Sequence, residues 1–463
     1  MINRRNLIAA SGGTLLAGNL PGAETGGGRK NSRPPNFLVI IADDLRWDSI
    51  GAMGNRIAAT SAIDKLADRG TLFKNCFVTT SICPTSRASI LTGQYGRRHG
   101  IWAFNISLSG PQMAETYPVL LRGAGYKTCF VGKWGVGNTV PVSQFDNWYG
   151  FAGQGQYFDP KNAGQHLGDV MEAQARSFID SYAGDAPFCL IYCSKEVHEQ
   201  REYDTEPYKP KLELRELFAN ITFPRPATAT AESFNRLPDF LKDSEGRKRW
   251  IPRFSSDELF QSTMRAYYQL LSGLDRSIAA ILRSLENRNL LDNTYVIFTS
   301  DNGNMLGDHG LAAKWWMFEE SIRVPLIIAP PRSFDAAAGR VTSDIALNID
   351  IAPTVLELAG VPIPSRMQGR SLVPTLERRA GGDWRTEFFY EHLIENPAII
   401  KSVGLRSPRF KYVRYFGIEM VFESLFDLDA DPFEETDLAR IAALEARKSE
   451  MSAKVDALMK TLA

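Results

Sequence analysis

The stretch Asn36-Phe37-Leu38-Val39-Ile40-Ile41-Ala42-Asp43-Asp44 is an uninterrupted apolar run that ends in two carboxylates. Such a run is typical of a strand that is buried on both faces, as strands are in a parallel sheet covered by helices. Sheets of this kind bind their ligands beyond the carboxyl ends of the strands. Because Asp43 and Asp44 repel each other unless a cation lies nearby, we expect them to bind a metal ion. The alternative is that one of them caps the N-terminus of a helix.

Similar apolar runs recur along the chain and alternate with helical patterns. Strands are predicted over residues 127–131, 187–193 and 295–299, a helix over 62–69, and an amphipathic helix over 257–288. This alternation predicts an α/β fold, with a large, mostly parallel sheet flanked by helices. Residues 200–256 are polar and weakly periodic, and they are interpreted as a long irregular, substrate-facing loop.

The end of the chain has a different pattern. Short alternating segments at residues 388–390, 402–406 and 410–413 precede a helix predicted over 441–462. They predict a smaller C-terminal α+β domain that contains a short antiparallel sheet. We therefore divide the chain into residues 1–35, a catalytic α/β domain over 36–377, and a C-terminal α+β subdomain over 378–463.

The first 35 residues are interpreted as a targeting segment and linker. Arg4-Arg5 precede a weakly apolar run to Leu20, and Pro21-Gly22-Ala23 follow it. This order is typical of a cleaved export signal, and the twin arginines indicate the Tat variant of bacteria. The prediction is export to the periplasm or the extracellular space; the alternative is a disordered tail.

Composition excludes some functions. The 463 residues include 53 basic and 53 acidic side chains, so the formal net charge is +0 and the basic excess of nucleic-acid-binding proteins is missing. No later run approaches the ~20 apolar residues of a membrane span. Five irregularly spaced cysteines do not form the pattern of a disulfide scaffold, and their odd number leaves at least one for another role.

One of these cysteines, Cys83, precedes Pro84-Thr85-Ser86-Arg87, a sequence that can begin a helix. The N–H groups and dipole of a helix N-terminus favour a developing anion there, and Arg87 follows about one turn later. A nucleophile in these surroundings suits attack on a negatively charged group. The alternative is that Cys83 is a buried structural thiol.

These residues resemble the signature of the sulfatase family, which belongs to the alkaline phosphatase superfamily: Cys-x-Pro-Ser-Arg followed by Leu-Thr-Gly, here Leu91-Thr92-Gly93. One departure is that proline directly follows Cys83 and Thr85 stands in the usual proline position. The resemblance implies that a formylglycine-generating enzyme oxidises Cys83 to formylglycine (3-oxoalanine).

Four later motifs carry the same resemblance: Gly132-Lys133-Trp134-Gly135, where the family has histidine at the last position; Lys195 with His198; Asp301-Asn302-Gly303; and His309-Gly310-Leu311 with Lys314. The role of the missing histidine is therefore absent or supplied from elsewhere. The alternatives are that His198 is a loop histidine without a role and Lys314 a solvated surface lysine. The resemblance implies a metal site of Asp43, Asp44, Cys83, Asp301 and Asn302, catalytic roles for Cys83, Arg87, Lys133, His198 and Lys314, and substrate contacts from Lys133, His198, His309 and Lys314.

The donors other than residue 83 offer only oxygen, which selects a hard cation, and the number of carboxylates favours one Ca²⁺ over Mg²⁺. The chain has only five histidines, so we do not expect a histidine-rich two-zinc site.

The family's chemistry implies that hydrated formylglycine attacks the sulfur of a sulfate ester and that the alcohol leaves with a proton. The leading hypothesis is an exported enzyme that acts on sulfated carbohydrate. The alternatives are a phosphonate or phosphate ester hydrolase of the same superfamily, and an inactive calcium- or glycan-binding homologue.

Overall fold

The first apolar run of the sequence forms strand β1 (Asn36–Ala42), which lies inside the large sheet with all seven residues buried. The computed structural model describes residues 33–333, 339–379 and 381–463. The export signal and nearly all of the linker predicted for residues 1–35 lie outside the described residues. Residues 35–463 belong to one compact unit, and the boundary between residues 377 and 378 stays a prediction.

The strands of the described residues, in chain order, are β1 (Asn36–Ala42), β2 (Thr71–Phe77), β3 (Lys127–Lys133), β4 (Asn147–Phe151), β5 (Phe188–Cys193), β6 (Thr294–Ser300), β7 (Met305–Leu306), β8 (Ala312–Ala313), β9 (Arg323–Ala329), β10 (Arg340–Leu347), β11 (Phe388–His392), β12 (Lys401–Arg406), β13 (Phe410–Phe416) and β14 (Phe422–Asp427).

The α-helices of the same residues are α1 (Ser61–Arg69), α2 (Cys83–Thr92), α3 (Gly96–His99), α4 (Gly110–Ala114), α5 (Tyr117–Gly123), α6 (Leu167–Ser181), α7 (Ala231–Arg236), α8 (Asp239–Lys242), α9 (Glu245–Phe254), α10 (Asp257–Asn287), α11 (Glu319–Ile322), α12 (Ile351–Ala359), α13 (Val373–Leu376) and α14 (Glu445–Thr461). None of these helices combines the length and apolar character needed to cross a membrane.

Among the described residues, eight strands form the large sheet in the order β10-β2-β9-β6-β1-β5-β3-β4. Strand β9 is antiparallel to its neighbours β2 and β6, and every other pair is parallel. The reversal follows from the chain path, because the chain leaves β6 at the carboxyl edge, crosses that edge through β7, β8 and α11, and returns along β9. The predicted large, mostly parallel sheet is confirmed.

Alternate side chains of β1 face two layers of helices. The odd-numbered residues from Phe37 to Ile41 pack with apolar residues of α2, α5 and α12, and the even-numbered residues from Leu38 to Ala42 pack with those of α1, α6 and α10. Burial of both faces is the physical reason why this strand is apolar throughout rather than at every second position.

The segment 200–256 is more ordered than its sequence predicts. The irregular-loop prediction is wrong for its second half, where α7, α8 and α9 form. Helix α9 contains Pro252 and is polar in composition, so its form depends on tertiary contacts. A Cβ at Gly246 would lie 2.4 Å from the Trp316 ring, and Arg249 and Arg253 of α9 are buried.

The C-terminal part is the predicted small α+β unit. Strands β11–β14 form an antiparallel sheet in chain order, and Met451 and Val455 of α14 are buried beside it. The Phe388 ring stacks on Phe77 of β2 with centroids 4.7 Å apart. Lys411 of β13 is fully buried and its Nζ lies 2.9 Å from a Glu319 oxygen, so a second contact reaches the segment between β8 and β9.

The substitution Lys411→Met tests whether this buried lysine joins the two sheets. Lys411 Nζ lies between the carboxylates of Glu319 and Glu434, the latter at 2.7 Å. Removing the ammonium leaves buried carboxylates short of a partner, so the free energy of unfolding should fall by about 3–5 kcal/mol in urea titrations. The control Lys454→Met removes a partly exposed lysine that is 3.0 Å from Glu387 and should cost less than about 1 kcal/mol. Equal losses in the two variants would contradict the prediction.

Candidate active site

The paired strands β1 and β6 bring the two polar pairs predicted from the sequence to one point of the carboxyl edge. The Asp44 amide donates to Asp301 Oδ1 at 3.1 Å, and Asn302 Nδ2 donates to Asp44 Oδ1 at 2.6 Å. Asp43 lies beside them, and all four side chains are fully buried. The four oxygen donors therefore meet although more than 250 residues separate the two pairs.

The turn after β1 lets two adjacent carboxylates face different partners. Asp44 has φ 62°, in the left-handed region that aspartate tolerates better than most residues. The turn is fixed because the Leu45 amide donates to Ser300 Oγ at 2.9 Å. As a result Asp43 Oδ2 lies 2.6 Å from Lys133 Nζ, while the Asp44 carboxylate pairs with Lys314.

Cys83 is the first residue of α2, and its side chain lies where these groups meet. Its Sγ is 3.2 Å from Lys314 Nζ, 3.6 Å from Lys133 Nζ and 3.6 Å from Asp43 Oδ1. The free N–H groups at the start of a helix add to the positive potential of the two ammonium groups. The side chain at position 83 thus faces a point at which negative charge is stabilised.

Arg87, one turn into α2, connects the strands around this point. Its Nε donates to Asp301 Oδ2 at 2.7 Å and a terminal nitrogen donates to the Lys133 carbonyl at 2.7 Å. Its other terminal nitrogen lies 3.6 Å from Asp43 Oδ1. Arg87 is therefore buried with a carboxylate on each side, a geometry that a guanidinium suits better than an ammonium does.

Burial and neighbouring charges shift the acidities of these groups in opposite directions. Burial would raise the pKa of Asp43, but Lys133, His198 and Arg87 hold it well below its usual value. Burial, with the charges of Asp43, Glu199 and Asp301, raises the pKa of Asp44 to about 7 although Lys314 opposes the change. The excess negative potential at Asp44 is of the kind that a bound cation relieves.

The thiol of Cys83 is a poor nucleophile as it stands. Burial raises its pKa to about 12, even though Lys133 and Lys314 favour the thiolate. The thiolate is the reactive form of cysteine, so an unmodified Cys83 is protonated at neutral pH.

Two oxygens at the site have no hydrogen-bond partner among the described residues: Asp44 Oδ2 and Asn302 Oδ1, both buried. Buried polar atoms without partners are rare and call for a ligand, water or ion. One ligand atom each from Asp43, Asp44, Cys83 and His198 lies within 4.8 Å of the others. The residues present therefore fit a divalent cation, and carboxylate and amide oxygens are the ligands that hard cations take.

The two histidines predicted to contact substrate occupy different places. His198 Nε2 lies 3.6 Å from Asp44 Oδ2, next to the carboxylates. The His309 ring stacks on Phe318 at 4.6 Å and lines a cavity of about 430 Å³ whose lining contains none of the residues around Cys83. The structure brings Cys83 together with His198 but not with His309, whose substrate contact stays a prediction.

Comparison with known proteins decides the family. The family described as Sulfatase matches residues 35–361 of the chain. The chain belongs to the sulfatase family. Its residues 307–461 also match the family described as N-sulphoglucosamine sulphohydrolase, C-terminal.

This sulfatase resembles several characterised proteins over most of its length. The N-acetylglucosamine-6-O-sulfatase of Bacteroides thetaiotaomicron is 29% identical, over 91% of this chain and 86% of that protein. A structure solved in complex with its substrate D-glucosamine-2-N,6-O-disulfate superposes with a TM-score of 0.79 at 27% identity, covering 93% of this chain and 98% of the other. The phosphonate monoester hydrolase of Agrobacterium radiobacter has a TM-score of 0.78 at 20% identity, over 93% and 96%, and shares the fold.

The sulfatase departs from the family pattern at Gly135, and the structure shows what fills that place. Gly135 has φ 72°, and a Cβ there would lie 2.7 Å from Arg87 Cδ and 3.6 Å from Lys133 Cε. The side chain of Arg87 thus occupies the space that a side chain at position 135 would enter. Glycine at this position permits both the backbone turn and the close approach of Arg87.

Sequence reasoning missed Glu199, which is buried between His198 and two arginines of α9. Its Oε1 lies 2.9 Å from a terminal nitrogen of Arg249 and 3.3 Å from one of Arg253. Two features of the sequence could have indicated this contact. An acidic residue directly follows the candidate histidine, and two arginines lie four residues apart in the segment that was interpreted as a loop.

Comparing Gly135→Ala with the control Gly100→Ala separates two effects of adding a Cβ: crowding of Arg87 and strain in the backbone. Gly100 has φ 74° and open space where its Cβ would be, so alanine there should cost only the left-handed conformation, about 1–2 kcal/mol. At Gly135 we expect a further loss of about 1–3 kcal/mol from crowding, with at least about a 10-fold lower kcat/KM on an aryl sulfate because Arg87 is displaced. Urea unfolding and steady-state kinetics measure both effects. Equal stability losses with unchanged activity would show that Arg87 does not depend on Gly135.

Proposed function

We propose that this sulfatase removes sulfate groups from sulfated carbohydrates, with Cys83 converted to formylglycine and one calcium ion held by Asp43, Asp44, Asp301, Asn302 and the converted residue. The observation that carries the proposal is the position of the side chain at residue 83, 3.2 Å and 3.6 Å from two lysine ammonium groups and beside the carboxylates. Sulfated glucosamine is the substrate class we favour, because it is named for the related 6-O-sulfatase and for the similar structure solved with its substrate.

Formylglycine at position 83 would supply a hydrated aldehyde as nucleophile, and calcium would polarise the sulfate ester. An unmodified cysteine fits this reaction poorly, because its pKa is raised to about 12 and attack by a thiolate would leave a stable thiosulfate on the enzyme. Since Cys83 is fully buried, a formylglycine-generating enzyme would have to act before the chain folds.

The chain's own residues then have separable tasks. Lys133 and Lys314 would neutralise charge on the sulfuryl oxygens, and preorganised charges of this kind usually contribute more to catalysis than any other single effect. Arg87 keeps Asp301 in place through its 2.7 Å contact. His198 would bind the sulfate group or protonate the leaving alcohol.

The donor set supports calcium as the cation. Three carboxylates and one amide oxygen supply a high ligand charge, which suits Ca²⁺ better than Mg²⁺. Phosphonate or phosphate ester hydrolysis is the competing function, because the fold is shared with a phosphonate monoester hydrolase.

The assay that tests the proposal compares 6-sulfated N-acetylglucosamine with its 6-phosphate counterpart and a phosphonate monoester. We expect hydrolysis of the sulfate ester to have the highest kcat/KM, and Cys83→Ala to lower it at least about 10³-fold. The matched control Cys129→Ala, a buried cysteine of β3, should keep the activity.

Mass spectrometry of the peptide that contains residue 83 should show replacement of the thiol by an aldehyde. A preference for the phosphate or phosphonate ester, or an unmodified cysteine in active protein, would contradict the proposal.

A further inference from the structure

Glu199 lies in a loop, yet its side chain is buried and paired with two arginines. It is 1% exposed, and its Oε1 lies 2.9 Å from Arg249 and 3.3 Å from Arg253. Its Oε2 has no hydrogen-bond partner among the described residues and lies 3.9 Å from His198 Nδ1. A buried carboxylate that pairs with two guanidinium groups of one helix is held in one position.

The backbone of Glu199 sets the orientation of the neighbouring imidazole. Its carbonyl oxygen lies 2.6 Å from His198 Nδ1 and also accepts from Lys195 Nζ at 3.2 Å. Because a carbonyl only accepts hydrogen bonds, Nδ1 keeps a proton in this contact, and the imidazolium that donates to the sulfate ester carries its second proton on Nε2. Nε2 is then directed to the reaction centre, where it lies 3.6 Å from Asp44 Oδ2.

Arg249 ties this loop to helix α9. Its guanidinium also reaches Glu245 at 2.8 Å and Glu202 at 3.1 Å, and it lies over the Trp315 ring at 4.8 Å. Trp315 follows Lys314 and has φ 91°, a conformation that bulky residues avoid unless surrounding contacts hold it. One guanidinium thus contacts both the residue after His198 and the residue after Lys314.

We infer that Glu199 and Arg249 are positioning residues that hold the His198 imidazole against the reaction centre, so that α9 supports catalysis without touching the substrate. The inference rests on the proposed function of His198 at the sulfate ester. Residues of this kind, one contact removed from the reacting groups, typically change activity by about 10- to 100-fold.

A double-mutant cycle on sulfate ester hydrolysis tests the pair, with Arg249→Met, His198→Ala and the double variant. We expect Arg249→Met to lower kcat about 10- to 100-fold with little change in KM. In the His198→Ala background the same substitution should have no further effect, because residues that act through one another are not additive. Arg249→Lys should recover part of the loss, since lysine keeps the charge without the fork geometry.

Lys248→Met is the matched control, because Lys248 precedes Arg249 on α9 and is exposed; it should keep wild-type kcat. Thermal melting verifies that each variant is folded, and Glu199→Gln replaces Arg249→Met in the cycle if the latter does not fold. An equal loss from Arg249→Met with and without His198 would overturn the inference, because Arg249 would then act independently of His198. Wild-type protein without sulfate ester hydrolysis would instead refute the proposed function.

Discussion

Three buried carboxylates at one sheet edge are tolerable only because three cationic side chains are buried with them. Transfer of a charged group out of water costs several kcal/mol, and a charge without its partner destabilises a fold strongly. The paired groups come from the residues that follow β1, β6 and β8, and from α2 and β3, so no segment can hold the arrangement alone. The groups are Asp43, Asp44 and Asp301 with Arg87, Lys133 and Lys314. The order of the parallel strands is what brings them together.

The loop between β6 and β9 is supported from two sides. It supplies Asp301 and Asn302 at its start and Lys314 further on, and its later residue Glu319 pairs with Lys411 of the C-terminal sheet. Trp315, inside the same loop, lies under Arg249 of α9. The small sheet and the 200–256 segment are thereby linked to the reaction centre through this loop. Both are therefore part of the site's framework.

The central strands were predictable from their continuous apolar runs. A strand such as Asn36–Ala42 has helices on both faces, so it is apolar at every position rather than at every second one. The residues around Cys83 were predictable because the carboxyl ends of parallel strands meet at one edge and because the motifs resemble those of sulfatases. The antiparallel direction of β9 could not be predicted, because it depends on where the preceding loop crosses the sheet. Helix α9 was missed because its segment is polar and contains Pro252, and Glu199 was missed because its position depends on ion pairs with residues distant in the sequence.

We propose that the unpartnered oxygens of Asp44 and Asn302 bind a cation beside residue 83. Diffraction from crystals grown with calcium, recorded at a wavelength where calcium scatters anomalously, tests this most directly. We expect one anomalous peak about 2.3–2.6 Å from Asp44 Oδ2 and Asn302 Oδ1, with the side chain of residue 83 beside it. A peak elsewhere, or no peak at these oxygens in active protein, would contradict it.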